Sequence, residues 1–339
     1  MGVGVDVGSK TIKIVDLEKS GNTWVLSGSG VIAYSGNNIE KIEDEKELSQ
    51  MAQVIKKLYL GAKISKRNVN ISIPEPSVFT RTIRFPMLTD QEIASAVKWE
   101  AEQYIPIPIN EAVVQHTIIE RNEKAVPPQV VILLVAAPLS LVEKYIRLFQ
   151  LAGLTVDSIE TEMLALTRSL APGNQTSVIV EFGSKSTGIG IARNKNLFFS
   201  KSFPTAGDAL TRTLMQNLQV EEIQAEEYKK SYGVSKNMLE GKIERILSPI
   251  LLTIVEEIKK SIHFYQVEEK GEMPKSLILA GGGSGLIELI PFLVSHLGME
   301  TAVGNPFAGI RIDSQSAKTL ANFSPLYSIA VGLAEKEDR

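Results

Sequence analysis

The chain carries one pattern twice. GVGVDVGSKTIKIV, starting at Gly2, and SVIVEFGSKSTGIGIAR, starting at Ser177, each read as an apolar strand, an acidic residue, one spacer, Gly-Ser-Lys and a second strand. A polar turn follows each, EKSGNTW around Gly21 and RNKN around Asn194, with a third strand behind it. Two such meanders, each offering an acid and a Gly-Ser-Lys turn, predict a duplicated α/β chain with a cleft between its halves. The first turn is not a Walker loop. That loop needs GxxxxGK[ST] and a helix behind it, whereas TIKIVDL after Lys10 is built of β-formers, so the turn joins two strands.

The 339 residues leave room for two domains, and 44% hydrophobic with 22% charged residues is the composition of a soluble globular chain. A net charge of −3 and a pI near 5.8 give no basic excess, which argues against nucleic acid as the main ligand while leaving room for a local basic patch. The absence of cysteine removes disulfides, thiol catalysis and cysteine-held zinc, and His116, His263 and His296 are too widely separated to suggest a metal cluster. No signal peptide opens the chain, and the longest apolar run, VVILLVAA, falls well short of the roughly 20 residues of a spanning helix. A cytoplasmic protein with no direct membrane insertion is the expectation.

Between the copies, residues 45–60 read as a helix with Leu48, Met51, Ala52 and Ile55 on one face, and VNISIPE from Val69 reads as a strand. A compact unit then runs from about Phe79 to Ile159 in the order strand, helix, strand, strand, helix, strand. Thr89 and Glu92 have capping-box spacing at its first helix, which Pro106 and Pro108 end. Helices dominate residues 209–266. LILAGGG then reads as a buried strand entering a glycine turn, with SGLIELIPFLVSHLG as the helix behind it.

A tight turn with Gly8 lets backbone amides approach phosphate oxygens, Ser9 adds a hydroxyl, and Lys10 or Lys13 supplies positive charge. One such turn is also what an ordinary polar hairpin looks like. A second copy across a cleft favours a triphosphate gripped from both sides.

At this point the sequence resembles the actin-like ATPase superfamily, over nearly its whole length and in the right order. DVGSKTIK looks like the first phosphate motif, EFGSKSTGIGI the second, and LILAGGGSGLIELIPFLVSHL the adenosine motif. AEEYKKSYG resembles the nucleotide-facing helix of the FtsA, MreB and PilM branch, though on its own it is also an ordinary i,i+3 pair on a solvated helix. IRFPMLTDQEIASAVKWEAEQYIPIPINEAVVQHTII is similar to the PilM family hallmark: Phe-Pro, a helix holding EAE, an Ile-Pro-x-Pro exit and a strand.

The resemblance implies an actin-like fold of duplicated RNase H-like domains around a nucleotide cleft, with a small α+β insert. Its parts would be a first domain at 1–78, the insert at 79–159, a connecting helix at 160–175, the second domain at 176–208 and 276–320, a helical subdomain at 209–275, and a C-terminal helix at 321–339 returning to the first domain. It implies ATP held by Asp6, Gly8, Ser9, Lys10, Thr11 and Lys13 of the first turn and by Glu181, Gly183, Ser184, Lys185, Ser186 and Gly207 of the second. Glu226 would take the ribose hydroxyls, Lys229 would sit by the base or ribose, and Gly281, Gly282, Gly283 and Ser284 would lie against the nucleotide. Mg²⁺ would rest on Asp6 and Glu181 through water, and Glu162 would orient water.

Relatives usually carry Asp where Glu181 stands, and a paired glycine around Gly207, so the expectation is nucleotide binding with weak or absent hydrolysis. Lys13→Ala and Glu226→Ala should weaken binding without unfolding the chain. The function implied is an ATP-binding adaptor of type IV pilus assembly, peripheral to the inner membrane. Its implied partners are the N-terminal cytoplasmic segment of a PilN-like membrane protein and further pilus components, with a homodimer left open. The alternatives are an active ATPase or small-molecule kinase, for which only generic acids such as Asp208 offer a base, and an FtsA- or GspL-like scaffold. FtsA-like chains end in a membrane-targeting helix, and GLAEKEDR is charged.

Overall fold

The structure, a computed structural model, describes residues 2–321 and 323–337. Strands β1 (Gly2–Val7), β2 (Thr11–Ser20) and β3 (Thr23–Ala33) form the first meander. Helix α1 (Glu45–Gly61), capped by the Asp44 side chain, leads to β4 (Asn68–Ile73), which pairs parallel with β1. Next come β5 (Phe79–Pro86), α2 (Asp90–Tyr104), β6 (Ala112–Asn122) and β7 (Gln129–Pro138), then α3 (Leu139–Leu151), β8 (Thr155–Thr161) and the connecting helix α4 (Glu162–Leu170). The capping box of Thr89 and Glu92 forms at α2 as its spacing predicts.

The second meander is β9 (Thr176–Phe182), β10 (Thr187–Arg193) and β11 (Asn196–Phe203). Helices α5 (Gly207–Leu218), α6 (Glu222–Tyr232) and α7 (Lys242–Val267) precede β12 (Ser276–Ala280), α8 (Leu289–Leu297) and β13 (Glu300–Val303). The chain finishes with β14 (Ile310–Arg311), α9 (Ser314–Leu320) and α10 (Ser328–Ala334).

The duplication is explicit in the sheet orders. One runs β14-β3-β2-β1-β4-β8 and the other β11-β10-β9-β12-β13, so each half is a meander extended by two parallel strands. In the second half the crossover between those parallel strands is α8. Its counterpart in the first half is α3, which packs on α1 and leads into β8, itself paired with β4. The insert is therefore shorter than the sequence suggested: β5, β7 and β6 form a three-stranded sheet with α2 across it, while α3 and β8 complete the first half. The return to the first half also starts earlier than residue 321, because β14 pairs with β3, and Phe307 and Ile310 enter the core beside α10.

Strand β1 is buried along its whole length, and its two faces do different work. Val3, Val5 and Val7 enter the core beneath α1 and α3. Gly2 and Gly4 face α10, where an added Cβ would fall 2.3 Å from the Ala334 carbonyl oxygen and 2.0 Å from that of Ala330. Asp6, next on that face, reaches the cleft.

Helix α8 begins later than SGLIELIPFLVSHLG suggests. The Val234 N–H donates to the Ile287 carbonyl at 2.9 Å, and Glu288 takes a left-handed φ of 63°, so the segment before Leu289 stays outside the helix.

Candidate functional site

A cleft of about 820 Å³ lies between the halves. The two Gly-Ser-Lys turns close the same way: Gly8 N–H donates to the Thr11 carbonyl at 3.1 Å, and Gly183 N–H to that of Ser186 at 3.2 Å. Gly8, Ser9, Lys10 and Thr11 line one wall, and Gly183, Ser184, Lys185 and Ser186 the other. Gly207, Glu226, Lys229, Gly281, Gly282 and Gly283 also border the cleft, with Asp6, Lys13, Glu162 and Glu181 between the turns. Ser284 does not. It is buried, and its hydroxyl donates to the Gly281 carbonyl at 2.7 Å to close the glycine turn, leaving Gly285 and Leu286 to line the cleft.

The centre of the cleft is acidic. Lys13 Nζ donates to Asp6 Oδ2 at 2.9 Å, both side chains being buried. Glu162, at the first position of α4, accepts from the Glu75 N–H at 3.0 Å. Glu75 in turn accepts from the Met163 N–H at 3.4 Å and from the Ser200 hydroxyl.

Burial pushes Glu181 up to about 8, against the pull of Lys13 and with a further push from Asp6. Burial, then the charges of Glu181 and Asp6, raises Glu162 well above the carboxylate range. Three carboxyls thus share the one ammonium among them, and a bound divalent cation would favour the ionised forms that burial disfavours. Among the described residues no three acids or histidines form a ready metal cage. A cation held here would use Asp6 and Glu181 with water and phosphate oxygens, as Mg²⁺ does in nucleotide sites.

The extra methylene of Glu181 finds its space where glycine leaves it. Gly281 has φ of 79°, and a Cβ there would fall 2.5 Å from Glu181 Oε1.

On α6, Glu226 and Lys229 form an ion pair on the cleft wall, partly buried and not merely solvated. Lys229 Nζ also donates to the Gly207 carbonyl at 3.1 Å and to Thr211 Oγ1 at 2.7 Å. Burial would raise the Glu226 pKa, but hydrogen bonds from Lys229 and Thr211 outweigh it and hold the carboxylate below its ordinary value.

Two contacts tie the walls together. Lys10 pairs with Asp208 at 2.5 Å, and Lys185 Nζ donates to Asn38 Oδ1 at 2.8 Å while Asn38 Nδ2 donates to Ser9 Oγ at 3.2 Å. Asn38 and Glu75 escaped the sequence reading, and Asp208 entered it only as a generic acid. Each acts through partners far along the chain, where no local spacing marks it.

The protonation of Glu181 gives a pH prediction. Its folded value lies above the unfolded one, so between roughly pH 4.5 and 8 the folded state holds a proton that the unfolded state has lost. This contribution is complete at the acid end and disappears as pH rises through about 8. The ligand-free chain should lose stability over that window, on the order of 1 kcal/mol per pH unit from this group. Glu181→Gln should flatten the slope. Urea midpoints at pH 5.5, 7 and 8 check it, and equal slopes in the two proteins would overturn it.

Paired meander-and-crossover sheets enclosing a two-turn cleft define an actin-like ATPase fold. Solved structures of a PilM-PilN type IV pilus biogenesis complex (TM-score 0.84, 25% identity, covering 98% of this chain and 97% of that one) and of MreB5 of Spiroplasma citri bound to AMPPNP (0.54, 12%, 97% and 93%) are similar to it. The chain belongs to the family described as Type IV pilus assembly protein PilM, which matches residues 4–337. Cell division protein FtsA of Enterococcus faecalis is 20% identical over 89% of this chain and 81% of its own length, in keeping with the actin-like branch.

Proposed function

We propose that the chain is a nucleotide-binding adaptor of type IV pilus assembly. It holds Mg-ATP between its two Gly-Ser-Lys turns and engages the N-terminal cytoplasmic segment of a PilN-like inner-membrane protein. The observation that carries the nucleotide part is the facing pair of identically closed turns, with Glu226 and Lys229 on one wall and an acidic centre short of positive charge. Family membership and the likeness to a PilM-PilN complex support the adaptor part. Among the described residues no helix is long and apolar enough to cross a membrane, which agrees with attachment through the partner.

Weak hydrolysis follows from Glu162. Burial first, then the charges of Glu181 and Asp6, raises its carboxyl, and one of its oxygens is committed to the Glu75 N–H, so it is poorly placed to take a proton from water. ATP then acts as a ligand that stabilises the closed form.

Calorimetric titration with Mg-ATP, then with a synthetic PilN-type N-terminal peptide, tests the reading. Both should bind with little phosphate released, and Glu226→Ala should weaken Mg-ATP about tenfold, the worth of one charge-assisted hydrogen bond. Rapid turnover without peptide binding would replace the adaptor by an enzyme.

A further inference from the structure

We infer that the Tyr145 hydroxyl is a further donor of the cleft, taking an oxygen at the terminal-phosphate end of the bound nucleotide, directly or through one water. The inference rests on the nucleotide reading above. Tyr145 lies on α3, whose apolar face also buries Leu141, Leu148 and Phe149 in the first-half core, and its ring is 0% exposed. Packing alone would be served by phenylalanine, which has the same ring without a hydroxyl to desolvate. Yet the buried Tyr145 Oη has no hydrogen-bond partner among the described residues. A native interior rarely leaves a polar atom in that state, and an orphaned one calls for a missing partner.

The place of Tyr145 indicates what that partner is. The side chain borders the cleft with Asp6, Ile39, Met51 and Glu162. Its neighbouring charges are those of Glu40, Glu162 and Asp6, not those of α6, where Glu226 and Lys229 stand. Burial first, then those carboxylates, raises the phenol well above its ordinary value, so it stays a donor. Of the three acids whose charges reach it, Asp6 is supplied by Lys13 and Glu162 by the Glu75 N–H, and Glu40, the strongest of the three, makes no hydrogen bond to the hydroxyl. An anionic phosphate oxygen, or a water ordered on one, is the acceptor that enters this end of the cleft with the nucleotide.

Tyr145→Phe in the full chain provides the test because the two roles of a buried hydroxyl have opposite signs. The ligand-free variant should melt at the wild-type temperature or above, since an unsatisfied group has been removed. Its Mg-ATP affinity should fall about tenfold or more, as for one hydrogen bond to a charged acceptor, with Mg-ADP affinity changed less than about twofold. Unchanged Mg-ATP affinity would overturn the inference. So would an equal loss for Mg-ADP, or a ligand-free variant that melts several degrees lower, which would mean that the hydroxyl is satisfied inside the protein. A wild-type chain that binds neither nucleotide would remove the nucleotide reading itself, and this inference with it.

Discussion

Lys13→Ala is expected to abolish most nucleotide binding and to lower the unfolding free energy by about 3–5 kcal/mol, the range for stripping one partner from a buried ion pair. The sequence suggested that alanine here would leave stability intact. The structure separates Lys13 from Glu226 in this respect. The Lys13 side chain is 10% exposed and that of Asp6 2%, with 2.9 Å between their charged atoms. Burial alone would lower the lysine pKa, but Asp6, assisted by Glu181 and Glu162, outweighs it and keeps the ammonium charged. Without it, Asp6 remains as an unpaired charge in a pocket of acids. Lys13→Met combined with Asp6→Asn removes both charges and should restore most of the lost stability while leaving binding absent. Denaturant midpoints and nucleotide titrations of the single and double variants decide the matter. Wild-type stability in Lys13→Ala would mean that Asp6 is solvated.

The second large effect concerns folding. In α10, a Cβ on Gly332 would stand 1.9 Å from the Ala165 carbonyl oxygen of α4, and one on Gly4 would stand 2.0 Å from that of Ala330. Both obstacles are backbone, so relief requires moving α10 against β1 or α4. Gly4→Ala and Gly332→Ala should each cost at least about 3 kcal/mol, the upper part of the range for overpacked cores, or prevent soluble expression. Gly61, the last residue of α1, meets nothing within 4 Å, so Gly61→Ala should be neutral or stabilising by about 0.5–1 kcal/mol. Thermal melts of the three variants check the contrast, and similar melting of Gly4→Ala and Gly61→Ala would sink it.

The repeated acid and Gly-Ser-Lys pattern was sufficient to foresee duplication, two facing turns and the turn residues that line the cleft, because each turn is encoded within a few adjacent residues. The glycines ahead of it were less transparent. Gly2, Gly4 and Gly8 look alike in the sequence, yet the first two admit a helix and the third shapes a turn. What no local pattern carries is contact across distance: Lys185 with Asn38 is a separation of 147 residues, and Ser200 with Glu75 one of 125. The two-residue β14 is too short to show periodicity, and the end of the insert was hidden because β7 runs directly into α3.

The insert belongs to one half by chain but leans on the other. One face of its sheet, with Val130, Ile132 and Leu134, packs under α2, while Ile119, Val131 and Leu133 join the second-half core. Asn196 Nδ2 donates to the Ile119 carbonyl at 3.1 Å, Arg193 pairs with Glu120, and Arg84 with Glu269 at 2.5 Å. A rotation that parts the two turns must therefore slide an apolar seam or drag the insert along with it. The insert is thus placed as a lever arm would be: a rotation of the halves that carried it along would change its angle, and a load on it would bear on the seam beside the cleft.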